Sequence, residues 1–253
     1  MSDEPTIRDG ETVDRLTRKL RIIQRRRGHR AATDDTLLAW AAARARPDAA
    51  RALDLGTGKG AAAMLLLARL PSCRVVGIEA LAASHDLAVR NAALNGLADR
   101  FDPRLGDLRD AAILADAPPF DLVMGAPPFM PLGSGVPPQE ETRAAGRFEL
   151  RGGIREYAEA AVRHLAPGGK VVVLMDGLER SATRALDALA AVGLHPYRIL
   201  TARPRPGRAP TYRIYEAGAG PCAPSEADLC LRNATGDAFS TGYRAVRDEM
   251  DLP

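Results

Sequence analysis

The sequence predicts an α/β fold, doubly wound around a mostly parallel sheet with helices on both faces. Three observations predict it: short apolar strand candidates recur between residues 51 and 200, helical patterns separate most of them, and a glycine-rich turn follows the first. Continuous apolar strands are buried on both faces, and in parallel sheets helices provide that cover. The chain of 253 residues is long enough for one such domain with a sizeable core.

Each element has its own sequence signal. A first helix is predicted at 33–46, because Thr33 can cap it, Asp34 and Asp35 complement its dipole, and Pro47 ends it. Strand candidates follow at 51–55, 74–78, 120–124, 170–175 and 195–200. Helical patterns lie at 60–70, 84–95, 154–166 and 179–192.

Two irregular stretches interrupt the alternation. Residues 130–153 predict a long polar loop, and loops of that length inside a compact domain are usually functional. Residues 202–210, ARPRPGRAP, are basic and rich in proline. After Gly218 we expect a short strand, a turn around Gly236 and a terminal helix at 240–250. We expect a single domain, with a basic segment and helix at 1–47, a core at 48–217 and a C-terminal extension at 218–253.

Composition narrows the cellular setting. The chain opens with acidic residues, Asp3 and Glu4, and its longest apolar run is the eight residues 61–68, so neither a signal peptide nor a membrane span is expected. The cysteines are odd in number and widely spaced, without clustered histidines: Cys73, Cys222 and Cys230. They support neither a disulfide framework nor a metal site, and favour the reducing cytoplasm. The sequence does not define an oligomeric state.

A basic block lies near the N-terminus. Eight of the sixteen residues 15–30 are Arg or Lys and none is acidic, a pattern that suits nucleic-acid phosphates. A general preference for arginine along the chain is an alternative explanation, and the 202–210 stretch could be only a rigid connector. The candidate RNA-binding residues are Arg25, Arg26, Arg27, His29, Arg30, Arg205 and Arg208.

The stretch LDLGTGKGA, residues 53–61, places Gly56, Gly58 and Gly60 at a strand-to-helix turn. This spacing also fits a dinucleotide-binding loop, so the glycines alone are a weak signal. Asp54 discriminates, because a carboxylate before the first glycine would repel a pyrophosphate but attract the cationic amino group and sulfonium of S-adenosylmethionine. Glu79 would then accept hydrogen bonds from the ribose hydroxyls. Asp107 would accept one from the adenine amine.

The fourth strand candidate ends in the sequence GAPPFM. Residues at the carboxyl ends of parallel strands line the ligand crevice, so Ala126, Pro127, Pro128 and Phe129 are the candidate catalytic residues. Proline fixes φ and removes a donor, which leaves rigid carbonyls that can only accept hydrogen bonds. Such a wall suits an amine substrate, and Phe129 could stack on a flat ring.

The chain resembles class I methyltransferases that carry an (Asn/Asp/Ser)-Pro-Pro-(Tyr/Phe) motif, and in particular the bacterial family that methylates the exocyclic adenine amine beside the anticodon of a valine tRNA. The resemblance covers nearly the whole chain, through the segments 20–39, 53–60, 77–80, 90–97, 126–129, 143–149, 165–170, 203–207 and 231–240. It implies a Rossmann-like fold with a seven-stranded sheet, S-adenosylmethionine as cofactor, S-adenosylhomocysteine as product, and tRNA as partner. By the same likeness Asp34 supports the cofactor site, while Pro127 and Phe129 hold the target base.

One departure from that motif concerns the chemistry directly. The family has Asn at its first motif position, where an amide oxygen accepts a hydrogen bond from the target amine, and Ala126 cannot do this. Three hypotheses follow: an RNA methyltransferase, a methyltransferase for a small molecule or peptide, or a non-catalytic protein that retains donor and RNA binding. If the acceptor were a hydroxyl, a base would be needed, and His29, Glu140 or Glu141 could supply it.

Overall fold

The computed structural model describes residues 5–253, so the first four residues, which include Asp3 and Glu4, lie outside the described range. The strands are β1 (Glu11–Arg15), β2 (Arg21–Arg25), β3 (Arg51–Leu55), β4 (Arg74–Glu79), β5 (Phe101–Leu105), β6 (Phe120–Gly125), β7 (Leu165–Asp176), β8 (Leu194–Arg203), β9 (Tyr212–Ala219) and β10 (Ser225–Cys230). The helices are α1 (Thr33–Ala45), α2 (Ala61–Arg69), α3 (Ala82–Leu94), α4 (Glu141–Ala145), α5 (Ile154–His164), α6 (Glu179–Ala191) and α7 (Thr241–Glu249), with one 3-10 turn at Ala111–Leu114.

The central sheet has eight strands in the order β10-β8-β9-β7-β6-β3-β4-β5. All neighbours are parallel except β9, which runs antiparallel to both β7 and β8. The predicted doubly wound α/β class is confirmed, but the sheet has one strand more than the seven expected. The additional strand is β10, which extends the sheet beyond β8 at its outer edge.

Successive residues of the central strands contribute to two separate apolar cores, one on each face of the sheet. Along β7, Val172 and Leu174 point into a core shared with α1, α2 and α7, whereas Val171 and Val173 point into one shared with α5 and α6. Both sets are buried. This explains why the strand sequences are apolar without alternation, as expected of a sheet covered on both sides.

The sequence missed four strands. β1 and β2 form an antiparallel hairpin, and Asn91 of α3 fixes it through hydrogen bonds to both backbone groups of Ile23. The basic block is therefore partly a folded element whose apolar residues, Ile22 and Ile23, are buried. β5 contains Pro103 and charged residues, which suit its position at the sheet edge. The fourth missed strand, β9, begins just after the basic stretch at 202–210 and ends where the C-terminal extension at 218–253 begins.

The loop at 130–153 is not wholly irregular. Glu140 caps the short helix α4 by accepting hydrogen bonds from the backbone N–H groups of Thr142 and Arg143. A bridge between Met130 and Phe148 closes the loop at its base, and Phe148 is buried. Within residues 5–253 no helix is long and apolar enough to cross a bilayer.

Candidate active site

A cavity of about 600 Å³ opens at the carboxyl ends of β3, β4, β5 and β6. The glycine turn after β3 and the four residues after β6 contribute to its wall, as do the segment before α1 and the 130–153 loop. Because these strands are parallel neighbours, their ends lie side by side, so residues from four distant parts of the sequence meet there.

The three glycines between β3 and α2 all have positive φ angles, +68° at Gly56, +59° at Gly58 and +83° at Gly60. A Cβ at Gly56 would lie 2.1 Å from the hydroxyl oxygen of Tyr157, and one at Gly60 would lie 2.5 Å from the ring of Phe101. Glycine is therefore required both by backbone conformation and by close neighbours. Gly58 has no such neighbour within 4 Å and lines the cavity.

Asp54, near the end of β3, is 2% exposed and accepts a 2.6 Å hydrogen bond from the hydroxyl of Thr57. Burial raises the pKa of Asp54 to about 7, and the charges of Asp35 and Glu79 add to the shift. Ionising this carboxyl therefore becomes favourable when a cation is placed beside it. Asp54 itself does not line the cavity, whereas Gly56 and Thr57, which follow it, do, so its charge would act on a ligand from behind the wall.

Glu79 ends β4 and is also buried. Its two carboxylate oxygens accept hydrogen bonds from the backbone N–H groups of Gly58, at 2.8 Å, and Leu81, at 2.7 Å. Burial raises the pKa of Glu79, although these bonds oppose the shift. The contact with Gly58 connects the ends of two neighbouring strands, so the carboxylate is fixed in the wall of the cavity.

Asp107 follows β5 and lines the same cavity. The guanidinium of Arg109 donates to it at 2.9 and 2.6 Å, and this pairing lowers the pKa of Asp107. The carboxylate is 28% exposed. It is thus ionised at neutral pH and retains acceptor capacity on the cavity side.

The start of α1 adds two more carboxylates to the cavity, Asp34 and Asp35. Asp35 accepts a hydrogen bond from the backbone N–H of Ala32 at 2.9 Å and so caps the helix. One oxygen of Asp34 is buried without a hydrogen-bond partner among the described residues. Burial, followed by the charge of Asp35, raises the pKa of Asp34 to about 6.

The predicted catalytic residues follow β6 directly and all line the cavity. Pro127 and Pro128 are buried, while Ala126 and Phe129 are half-buried. Phe129 packs against the apolar cores on both faces of the sheet, which fixes its position at the strand end. The two prolines and their neighbours therefore form a rigid section of wall with no polar side chain.

The candidate RNA-binding residues are divided between the cavity and more distant surfaces. Arg25, His29 and Arg30 line the cavity, although Arg30 also forms a 2.8 Å ion pair with Asp14 of β1. The residues that do not line it are Arg26, Arg27, Arg205 and Arg208. Arg205 instead pairs with Asp237 at 3.0 Å and donates to the backbone carbonyls of Asn233 and Gly236. RNA contact by these four arginines stays a prediction.

The three candidate bases have different surroundings. His29 is reached by solvent but has protein on most sides, and this desolvation, with the charge of Lys59, lowers the pKa of His29. Glu140 caps α4 and lies 3.9 Å from a guanidinium nitrogen of Arg25. Neither Glu140 nor Glu141 lines the cavity. Of the three, His29 is the one that lines the cavity.

Sequence reasoning missed several residues of the cavity wall, and three of them lie in or against the glycine turn. Thr57 and Lys59 stand between the glycines and are both buried, at 7% and 6% exposure. Tyr157 comes from α5, 101 positions after Gly56, and only the packing of that helix brings its hydroxyl to the glycine turn. The first two could have been found from their position in the loop. No local signal marks Tyr157. Among the described residues no group of three or more His, Cys, Asp or Glu is placed to hold a metal ion.

The chain is similar in sequence to tRNA adenine methyltransferases from two bacteria. The tRNA1(Val) (adenine(37)-N6)-methyltransferase of Tolumonas auensis is 29% identical over 236 residues, which cover 93% of this chain and 95% of that protein. A protein of the same name from Porphyromonas gingivalis is 32% identical over 180 residues, or 69% of this chain and 66% of that protein. No protein-family model matches the chain.

Other similarities are shorter or confined to the fold. The release factor glutamine methyltransferase of Geobacter sulfurreducens is 34% identical over 153 residues, which cover 55% of this chain and 50% of that protein. Among solved structures, a predicted O-methyltransferase from Agrobacterium tumefaciens superimposes with a TM-score of 0.66 at 21% identity, covering 87% of this chain and 98% of that one. At that identity the structural likeness shows the fold alone.

Proposed function

The chain is a class I methyltransferase that uses S-adenosylmethionine and is related to the tRNA1(Val) (adenine(37)-N6)-methyltransferases, and from this premise we propose that it methylates the exocyclic amine of an adenine in tRNA. The similarity over 95% of the length of the Tolumonas protein is the observation that carries this proposal. A match of that length extends well beyond the predicted core at 48–217.

The residues of the cavity fit the donor. Glu79 can accept from the ribose hydroxyls and Asp107 from the adenine amine. Asp54 lies behind Thr57, which lines the cavity and donates to it, so its carboxylate would act on a cationic ligand through its charge from within the wall. The glycine turn allows a ligand to approach the backbone closely, because Gly56 and Gly58 line the cavity and have no side chain. When bound, the donor supplies an electrophilic methyl group on a sulfonium. Asp34 and Asp35 add negative charge on the side of α1.

The acceptor side is provided by the residues after β6. The carbonyls of Ala126 and the two prolines are held rigidly and can only accept hydrogen bonds, which would orient the N–H groups of an amine and leave its lone pair directed toward the methyl group. Phe129 offers a flat apolar surface to a purine ring. Transfer to an amine needs no strong base. The reaction therefore does not require His29, whose pKa is lowered, to act as one.

Contact with RNA would come from basic side chains around the cavity. Arg25 lies on the hairpin, and Arg143, Arg147 and Arg151 come from the 130–153 loop. All four are exposed, so each can neutralise a phosphate of a bound strand. The proposal implies a cytoplasmic location, which the three free cysteines also favour.

A second candidate is methylation of a peptide or small molecule. It is favoured by Ala126, which lacks the amide expected for an adenine acceptor, and by the similarity to release factor glutamine methyltransferases over about half their length. The purified full chain should be incubated with labelled S-adenosylmethionine and, separately, with total bacterial tRNA, a release-factor peptide containing glutamine and a small-metabolite extract. We expect label in tRNA, recovered as N6-methyladenosine after digestion. Label only in the peptide or metabolite reaction would overturn the proposal.

A further inference from the structure

Lys59 is an unusual residue for this chain. The sequence has 35 Lys and Arg residues, of which three are lysines, and two of these lie outside the cavity wall. Lys59 stands in the glycine turn between β3 and α2 and is 6% exposed, whereas the arginines that line the cavity are exposed or half-buried. Most of the Lys59 side chain is thus removed from water, while the cavity that it lines gives access to it.

No protein group compensates this loss directly. Among residues 5–253, the ammonium of Lys59 forms no ion pair within 4.0 Å and no side-chain hydrogen bond, although several carboxylates line the same cavity. A lysine that is largely buried usually has its charge matched by another residue or by a ligand. Lys59 lines the cavity, so a ligand can reach it.

The position of Lys59 identifies the part of the donor that it would meet. Its charge acts on His29 and Asp34, which belong to the segment leading into α1, and the pKa of Asp34 is shifted partly by it. Glu79 and Asp107 follow β4 and β5, on the other side of β3. If those two hold the ribose and adenine, the amino-acid end of the donor lies toward β6 and α1, which is where Lys59 is.

The amino-acid end of S-adenosylmethionine carries an ammonium and a carboxylate. Asp34, Asp35 and Asp54 offer negative charge to the ammonium and the sulfonium. Each would repel the carboxylate. We propose that Lys59 binds the α-carboxylate of the methyl donor, so that both charges of the amino-acid end find buried partners of opposite sign. This inference concerns the donor and does not depend on which acceptor is methylated.

The test uses ligands that differ in one group. S-adenosylhomocysteine, its decarboxylated analogue and 5′-methylthioadenosine would be titrated calorimetrically into the full chain and into Lys59→Met, a variant of similar length without charge. We expect Lys59→Met to bind S-adenosylhomocysteine about 10- to 100-fold more weakly, as for loss of a charge-assisted hydrogen bond. Its affinity for the two ligands without a carboxylate should change less than about twofold.

Two further variants complete the design. Lys170→Met removes a lysine that packs over the ring of Tyr197 and does not line the cavity, so it should leave all three affinities unchanged. Lys59→Arg retains the charge and should recover part of the lost affinity. An equal loss for all three ligands would mean that Lys59 only balances the carboxylates of the wall, and no loss for S-adenosylhomocysteine would assign it to another ligand. Either result would overturn the inference. The inference would also be overturned if the wild-type protein bound S-adenosylhomocysteine and its decarboxylated analogue with equal affinity.

Discussion

The hydroxyl of Thr57 donates a 2.6 Å hydrogen bond to the carboxylate of Asp54, and both side chains are buried at the end of β3. This bond favours the ionised carboxyl, but burial outweighs it and the pKa of Asp54 rises to about 7. The site therefore holds a carboxyl whose ionisation is unfavourable in the free protein. It becomes favourable with a cationic donor beside it, and this coupling leads to the first two predictions.

Asp54→Asn should stabilise the protein at alkaline pH. The unfolded chain releases the Asp54 proton near pH 4, while the folded protein holds it until about pH 7, so wild-type stability falls as the pH rises through that window. Asparagine has no proton to release. In urea unfolding, the stability of Asp54→Asn relative to wild type should increase by roughly 2 to 3 kcal/mol between pH 5 and pH 8. If the stability difference between Asp54→Asn and wild type does not vary with pH, the pKa of Asp54 is not raised in the folded protein.

Asp54→Ala and Glu79→Ala should each abolish measurable donor binding. The first removes the buried charge partner and the second removes the proposed ribose acceptor and the bond to Gly58. Calorimetry with S-adenosylmethionine would measure both affinities, and circular dichroism would confirm that the variants are folded. Asp121→Ala is a suitable control, because that carboxylate accepts from the backbone of Ala50 and Arg51 and does not line the cavity. Unchanged affinity in both site variants would remove the basis for placing the donor here.

Gly56→Ala should damage the site more than Gly58→Ala. Both glycines have positive φ, which costs an alanine roughly 1 to 2 kcal/mol. At Gly56 the added Cβ would also meet the Tyr157 hydroxyl at 2.1 Å, whereas at Gly58 it would meet nothing within 4 Å. Thermal unfolding and donor calorimetry would measure the difference. Combining Gly56→Ala with Tyr157→Phe should recover part of the loss, and the absence of any recovery would show that the hydroxyl is not the obstacle.

The meeting of Glu79, Asp107 and the glycine turn at one cavity could be predicted from the sequence for a local reason. Asp54 and Glu79 were recognisable because β3 and β4 are short apolar runs that contain or end in a carboxylate, whereas β5, which precedes Asp107, is not apolar and was not predicted as a strand. In a parallel sheet such positions meet at one edge, so the order of strands and helices along the chain is enough to place Asp54, Glu79 and Asp107 together. Their role in binding the donor stays a prediction.

The missed features depend on contacts between distant parts of the chain. Tyr157 reaches Gly56 because α5 packs against β6, and nothing in the helix sequence distinguishes this tyrosine from a core residue. The hairpin was not predicted because its two strands are short and mostly polar or charged, and Val13, Ile22 and Ile23 are their apolar residues. Arg205 was predicted to contact RNA because of its basic, proline-rich context. In the structure it donates to the backbone carbonyl of Gly236 and forms an ion pair with Asp237.

Ala126→Asn should raise the rate if adenine is the acceptor. The residue lines the cavity and is half-buried, so an amide introduced there can reach a bound base. Restoring an acceptor that acts in the transition state should increase kcat by at least about tenfold. Ala126→Val adds bulk without an acceptor and should produce no increase. A fall in activity for Ala126→Asn, with folding and donor affinity retained, would indicate that the pocket is shaped for another nucleophile.

Arg147→Glu should weaken tRNA binding without changing donor affinity. Arg147 is exposed on the 130–153 loop at the cavity, where it can meet a phosphate next to the target base. The loss of one phosphate contact should lower the salt dependence of binding by about one counterion, and reversal of the charge should weaken it further through repulsion. Filter binding of tRNA at several salt concentrations would measure both effects. Arg69→Glu makes the same charge change at the exposed end of α2, outside the cavity wall, and separates a local contact from the loss of net charge. If both variants weaken tRNA binding equally, the loop does not contact RNA and the charge of the whole protein accounts for the effect.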